Sequence, residues 1–473
     1  MIFKLRDYQQ TFLDNIRSEY LSGSRAVLGV LPTGGGKTIV FSEIARLAIA
    51  IGHRVLILVH RDELLRQASE KLTLLGISHG IIAAGYSPSG AQVQIASVQT
   101  FVRRMHKFRC EFHLIIIDEA HHSNATSWTT ILSAHTNAHI LGVTATPCRL
   151  DGKGLGVACG GHFETMVEGP SIRDLIDDGF LCQPITYGAE RIDTSQIQIR
   201  CGDFVQDEVV KAIDKPKITG NAVEHYGDIC YGLPAIAFCA SVKHSQHVSE
   251  AFNRHGIVSD VMAGNMSNDQ RKYKIQALAS GKIKVLTACD MISEGTDIPV
   301  VSVGIMLRPT NSLSLHLQQG GRVLRMYEGK ENAFILDHAG NWERFGLVDQ
   351  VRSWSLEGVE RKDKRSSEGI KNLRRCPKCF MVFSVGLSHC PQCGNAITAK
   401  EREIKHQDGK LKIITSADIE KKKARMEVGR LKTLDDLLRL ADARGYKRDW
   451  AYHVHNSRKA KENERSVTNL ATA

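Results

Sequence analysis

The sequence lacks an apolar leader: Lys4, Arg6 and Asp7 stand at its start, where an export signal needs an h-region. Long hydrophobic runs are also missing. The uncharged segment 72–102 is broken by Gly, Ser, Pro and Gln, which argues against a membrane span. The expectation is therefore a chain that is neither exported nor membrane-embedded. No short-period repeat occurs, which excludes a solenoid. Closely spaced cysteine pairs are absent before residue 376. Cys110, Cys148, Cys159, Cys182, Cys201, Cys230, Cys239 and Cys289 lie scattered, as suits small buried residues in a reducing compartment. Net charge is missing from most of the chain too. Residues 1–355 hold 35 Lys+Arg against 35 Asp+Glu, whereas 356–473 hold 27 against 16, so the whole formal charge of +11 belongs to the last quarter.

What is present is length and alternation. A chain of 473 residues can build two or three domains with full cores. Apolar runs at Ala26 to Val30, Val55 to Val59, Val93 to Ala96, Leu114 to Ile117 and Ile140 to Val143 alternate with helical patterns, as a parallel α/β sheet requires. After a polar stretch, Gly188 to Arg200, a second set follows: Ala235 to Cys239, Val258 to Met262, Val285 to Ala288, Val301 to Met306 and Phe334 to Leu336. Ser267 to Gln270 reads as a capping box opening one of the intervening helices. The expected organisation is α/β: a parallel-sheet unit over 1–187, a linker over 188–214, and a second such unit over 215–355. A charged linker and cysteine module over 356–400 and a basic, partly helical tail over 401–473 complete it. In open α/β sheets ligands bind beyond the carboxyl ends of strands, so the residues just after each run carry the chemistry.

After the first run comes Leu31-Pro32-Thr33-Gly34-Gly35-Gly36-Lys37-Thr38 and then a helical pattern. Glycines let the backbone curl so that N–H groups converge, and the helix N-terminus adds partial positive charge, which together suit phosphates. Lys37 would reach the β and γ phosphates, and the Thr38 hydroxyl would complete a Mg²⁺ shell. Leu31 stands where the strict pattern has Gly. After the fourth run, Asp118-Glu119-Ala120-His121 brings two carboxylates to the same edge. Asp118 can hold Mg²⁺ while Glu119 takes a proton from attacking water. His121 is expected to couple sites and His122 to lie at the surface.

These segments resemble those of a superfamily 2 helicase of the DEAH-box type, which implies two RecA-like domains and ATP with Mg²⁺. Leu5-Arg6-Asp-Tyr-Gln9 is similar to the family's adenine-reading motif, with Gln9 the reader and Arg6 beside the nucleotide. Residues 57–67, with Arg61, and Ser97-Val-Gln99-Thr100 resemble strand-binding motifs. Thr144-Ala-Thr146-Pro147 matches the motif that links hydrolysis to domain movement. Ala237 to Ser241 resembles the fourth motif, and Ser293-Glu-Gly295-Thr-Asp297 the fifth, which places Gly295 and Asp297 near the nucleotide. Cys289 stands where many relatives have Thr. Gln318-Gln-Gly-Gly-Arg322-Val-Leu-Arg325 matches the sixth motif. Arg322 and Arg325, three apart, are expected to share a helix face and present two cations to one γ-phosphate, with Gln318 orienting water. Arg61, Ser97, Gln99, Thr100, Ser241 and Lys243 would touch a nucleic acid strand mainly at phosphates, or merely cap strands and helices.

Cys376-Pro-Lys-Cys379 and Cys390-Pro-Gln-Cys393 have the spacing of a closed structural Cys₄ zinc ribbon, with a redox dithiol as the alternative. Arg374 and Arg375 would touch nucleic acid or a partner, or simply be solvated. In the tail, Tyr446 and Trp450 would either stack on bases or dock a helix on the motor. Motor, zinc module and tail together resemble RadD-like repair helicases and phage helicases, which implies bacterial cytosol or nucleoid, or phage encoding. The resulting expectation is an ATP-dependent DNA helicase or translocase, acting as a monomer on single-stranded or forked DNA, alone or with single-strand-binding or recombination proteins. An RNA helicase and an ATP-switched DNA-binding recruitment factor stay open.

Overall fold

Seven parallel strands make the first sheet of the computed structural model: β1 (Ala26–Val30), β2 (Val55–Val59), β3 (His79–Ile82), β4 (Val93–Ser97), β5 (Leu114–Asp118), β6 (His139–Thr144) and β7 (Thr165–Glu168), in the order β3-β4-β2-β5-β6-β1-β7. The structure describes residues 4–87, 89–108, 111–149, 152–188, 197–200, 203–213, 216–264, 266–289, 298–358, 372–397, 428, 431 and 433–457. Five of the seven strands are buried along their whole length or all but one residue, because helices cover both faces. One layer packs Phe12, Ile16, Phe41 and Leu65 against β1 and β2. The other packs Phe101, Phe112, Trp128 and Phe163.

The second sheet has six parallel strands: β8 (Gln183–Gly188), then, after a two-stranded ribbon of β9 (Ile199–Arg200) and β10 (Asp203–Phe204), β11 (Ala235–Cys239), β12 (Ser259–Met262), β13 (Val285–Cys289), β14 (Val303–Met306) and β15 (Asn332–Asp337), ordered β12-β13-β11-β14-β15-β8. The capping box at Ser267 and Gln270 is formed, with both reciprocal bonds present.

Two boundaries differ from the sequence expectation. β8, which that expectation put in the first unit, is the edge strand of the second sheet and pairs with β15 from Gln183 to Gly188. The helix Ile172–Asp177 also belongs there, since Leu175, Leu181 and Cys182 lie in the second core. A short strand followed by a late partner carries no periodic signal of its own, and so the crossover near Gly169 was hidden. The interval 188–214, expected to be a plain linker, holds β9, β10 and the helix Gln206–Ile213. Asp203 anchors it to the end of the second sheet, accepting from Thr310 Oγ1 at 2.9 Å and Asn311 N at 2.6 Å.

A second connection joins the two sheets. The segment after Val348 returns to the first unit, where Leu356 O accepts from Gly156 N at 2.9 Å and Gly358 bridges Lys153. Trp354 touches the apolar cores of both units. The approach is close enough that a Cβ on Gly154 would collide with the Leu356 carbonyl.

The cysteine module forms the hairpin β16 (Leu373–Arg375) and β17 (Val382–Ser384). It seats on the edge of the second sheet, with Gly188 N donating to Phe380 O at 3.0 Å and Tyr187 bridging Met381. From residue 399 onward the chain forms a separate unit. Within it, Thr433 caps the helix Leu434–Arg444, Gly445 ends it in the left-handed region, and a second helix follows over 448–457. Leu437, Ala441 and Ala451 form its small core with Trp450, while Tyr446 stays exposed. Among the described residues no helix is long and apolar enough to cross a membrane.

Gly154→Val should detach the returning segment, lowering stability by ~2 kcal/mol or more through backbone displacement. Thermal unfolding of variant and parent checks this.

Candidate active site

Neighbouring strands β5, β6 and β1 end side by side, so the residues after them are within roughly 10 Å of one another by strand spacing. After β1 the loop curls into the helix Lys37–Ala50. Gly34 and Gly36 adopt φ of 90° and 85°, values that a side chain disfavours. A Cβ on Gly36 would also strike Gln9 Nε2. Tyr8 Oη and Gln9 Nε2 donate to Gly35 O at 3.0 and 3.2 Å, so the N-terminal helix holds the loop from behind. Lys37, half-buried, donates to Leu31 O at 3.3 Å. Burial lowers its pKa, the Glu119 and Asp118 carboxylates oppose that, and Arg325 and Arg322 add to it. An ammonium so placed gains charge balance from a polyanion.

Asp118 ends β5, and its Oδ1 accepts from Glu119 N at 2.9 Å. Glu119 adopts φ of 50°, a conformation that costs a non-glycine residue ~1–3 kcal/mol and recurs at functional sites. Its Oε2 is buried, makes no hydrogen bond, and lies 3.4 Å from His121 Nδ1. His121 Nδ1 is also 3.1 Å from Thr144 Oγ1. That hydroxyl gives its one proton to Thr146 O at 3.0 Å and accepts from Thr146 N at 3.2 Å, so His121 Nδ1 is the donor to it. Thr146 Oγ1 then meets Ser314 Oγ of the second unit at 2.6 Å. The carboxylate is thus linked through four buried or part-buried side chains to the helix Leu313–Val323. His122 is not at the surface as expected. It is partly buried, its ring 4.2 Å from that of His121 and 4.5 Å from that of His60.

Gln318 and Arg322 project from that same helix. Together with Arg325 they line a cavity of about 600 Å³, whose other walls include Arg6, Thr33, Gly34, Gly36, Lys37, Thr38, Asp118 and Glu119. Gln318 Nε2 is buried without a hydrogen-bond partner. Arg322 and Arg325 do not share a helix face: the helix ends at Val323, and Arg325 lies beyond it, bridged to Leu181. Both still reach the cavity. Pro32 lines a smaller neighbouring cavity, Gly35 is buried in the loop, and Gln9 lies behind it. Gly295 and Asp297 lie outside the described residues.

Sequence reasoning missed two contributors. Phe180 lines the cavity and carries the Arg6 guanidinium 4.4 Å above its ring. No motif marks it. Ser314 had a signal, since Ser314, Gln318 and Arg322 recur at intervals of four and therefore share a helix face. Several strand-contact candidates are engaged internally. Ser241 Oγ caps its own helix at 3.0 Å from His244 N. Ser97 Oγ donates to Gln99 Oε1 at 3.0 Å, and Gln99 Nε2 reaches His60 O at 3.4 Å. Arg61 opens the helix Asp62–Leu74; Lys243 is exposed and Thr100 half-buried.

The Sγ atoms of Cys376, Cys379, Cys390 and Cys393 all lie within 4.8 Å of one another, with pairs at 3.7 and 3.5 Å. A tetrahedron of metal–sulfur bonds near 2.3 Å has edges of about 3.8 Å, so the four thiols fit one closed site. Burial opposes ionisation of Cys376, but the N–H groups of Cys379 and Lys378 bring its pKa down to about 7. Arg375 is engaged within the module and its seat, on Gly188 O and the Phe380 ring, and Arg374 on Val385 O and the Phe383 ring.

Residues 2–149 match the family described as type III restriction enzyme, res subunit, and residues 224–327 match the helicase conserved C-terminal domain. A 51.5 kDa protein of a Lactococcus phage is 32% identical over 400 residues, covering 84% of this chain and 83% of its own. The putative ATP-dependent helicase IRC3 of Saccharomyces cerevisiae is 31% identical over 381 residues, 76% of this chain but only 54% of its own length. Among solved structures, the DNA-bound type ISP restriction-modification enzyme LlaBIII shares the fold at a TM-score of 0.53 and 18% identity, over 70% of this chain and 27% of its own.

Phe180 supports the Arg6 guanidinium at the cavity wall, so Phe180→Ala should free that cation and weaken ATP binding about tenfold. Titration of a fluorescent ATP analogue tests it. Displacing the thiolates with a mercurial should release one metal ion per chain, and Cys390→Ser should abolish that release, as a colorimetric zinc assay would show.

Proposed function

The chain belongs to the superfamily 2 helicases and hydrolyses ATP, and from that premise we propose that it couples hydrolysis to movement along, or separation of, DNA strands in replication, recombination or repair. The observation that carries this reading is the shared cavity, where Lys37, Asp118 and Glu119 of one sheet face Gln318, Arg322 and Arg325 of the other. Lys37 binds the phosphates. Thr38 and Asp118 would hold Mg²⁺, which would supply charge neutralisation for the phosphates. Glu119 takes the proton of a water that Gln318 Nε2 orients, and the two arginines balance charge developing on the γ-phosphate, an effect worth about a thousandfold or more. Since half the machinery lies on each unit, nucleotide binding favours the joined arrangement and hydrolysis relaxes it.

DNA is preferred because the first unit resembles a restriction-enzyme subunit and because all of the net positive charge lies in the last quarter. Cys376, Cys379, Cys390 and Cys393 hold structural zinc in this reading.

ATP hydrolysis by the zinc-loaded protein, measured alone and with single-stranded, forked or duplex DNA or with RNA at two salt concentrations, tests it. Single-stranded or forked DNA should stimulate hydrolysis most, with affinity falling steeply as salt rises. Lys37→Ala and Glu119→Gln should each lower the rate about a hundredfold or more. Stronger stimulation by RNA reassigns the substrate, and indifference to every nucleic acid overturns the motor.

A further inference from the structure

The end of the arginine-bearing helix is held by an unusual group. A helix C-terminus leaves its last carbonyls without intrahelical partners, and here a buried ammonium takes the final one, Val323 O, together with two carbonyls outside the helix. Lys330 Nζ donates to Val323 O and Val301 O at 2.6 Å and to Arg325 O at 2.7 Å, which uses all three of its protons. The intervening carbonyl, Leu324 O, accepts from Cys182 N at 2.8 Å. Three consecutive carbonyls around the two arginines are therefore fixed. The third proton of Lys330 ties them to Val301, two residues before β14.

Lys330 is only 8% exposed and does not line the cavity. Burial lowers its pKa to about 8, Cys182 opposes the shift, and Arg325 adds to it. Sinking an ammonium among apolar groups is costly unless every donor is matched. Matching comes from the carbonyls and the partial negative charge of the helix end. Gly329, at φ of 75°, turns the chain so that Lys330 folds back under this end, with Lys330 N donating to Tyr327 O at 3.0 Å. An apolar side chain in the same space would withdraw the donor from all three carbonyls, so the ammonium is what holds this stretch of backbone.

We propose that Lys330 is a positioning residue for hydrolysis: its ammonium clamps the backbone from Val323 to Arg325 so that Arg322 and Arg325 are aimed at the nucleotide. The inference rests on the assignment of those arginines to the transition state. It predicts a loss in turnover with little change in nucleotide affinity, because Lys330 touches neither the loop nor the base-binding side.

Lys330→Met preserves length and removes the donors. In the full zinc-loaded chain it should lower kcat about tenfold or more while leaving KM for ATP within about twofold. In an Arg322→Ala/Arg325→Ala background the same substitution should cost less than about twofold, because both groups it aims are gone. Lys330→Arg, which keeps a cation and donors, should recover most of the loss. An additive effect in the Arg322→Ala/Arg325→Ala background, a raised KM with normal kcat, or an unchanged kcat overturns the inference. If Lys330→Met does not fold, Lys330→Gln is read through the same cycle, and failure of both to fold assigns Lys330 to stability and equally overturns it. A parent-like rate for Arg322→Ala/Arg325→Ala alone sinks the arginine assignment instead, so the two failures are distinguishable.

Discussion

A glycine loop pressed from two sides is the constraint on which this molecule depends. Gly34 and Gly36 hold left-handed conformations that side chains disfavour, and the space around them is taken by groups from both units. Gln9 and Tyr8 hold the loop from the first unit, while Leu181 and Arg325 approach Gly34 from the second. Neither unit alone encloses the cavity.

The interface also has a wired route. From Glu119 through His121, Thr144 and Thr146 to Ser314, each contact is a short-range polar one inside a dry environment, where a broken link leaves an unsatisfied group. Such a chain has few partial states. The strained backbone of Glu119 sits at its start, and the helix bearing Gln318 and Arg322 at its end.

Around this machinery the second unit is tied down at its margins. The returning segment at Leu356 docks backbone to backbone on the first unit, and the four-cysteine hairpin closes the exposed edge at β8. An open strand edge invites foreign pairing, and the small four-cysteine hairpin covers it. Arg375 is engaged in this seating on Gly188 O, and Arg374 bonds Val385 O within the hairpin.

The sequence by itself determined the α/β class, the strands that bear the motifs, the loop at 31–38, the carboxylate pair and the cysteine spacing. Each of these is a local pattern: an apolar run ending in a polar turn, or thiols a fixed number of residues apart, needs no knowledge of the rest of the chain. Only the tertiary structure decided the membership of β8, which depends on a partner strand some 150 residues away, and the place of Phe180, which no periodicity marks. It alone decided that Arg325 lies past its helix, that Ser241 and Arg375 are engaged locally, and that Lys330 collects the helix end. Those are questions of which buried donors meet which acceptors, and they are answered when two distant segments are desolvated together.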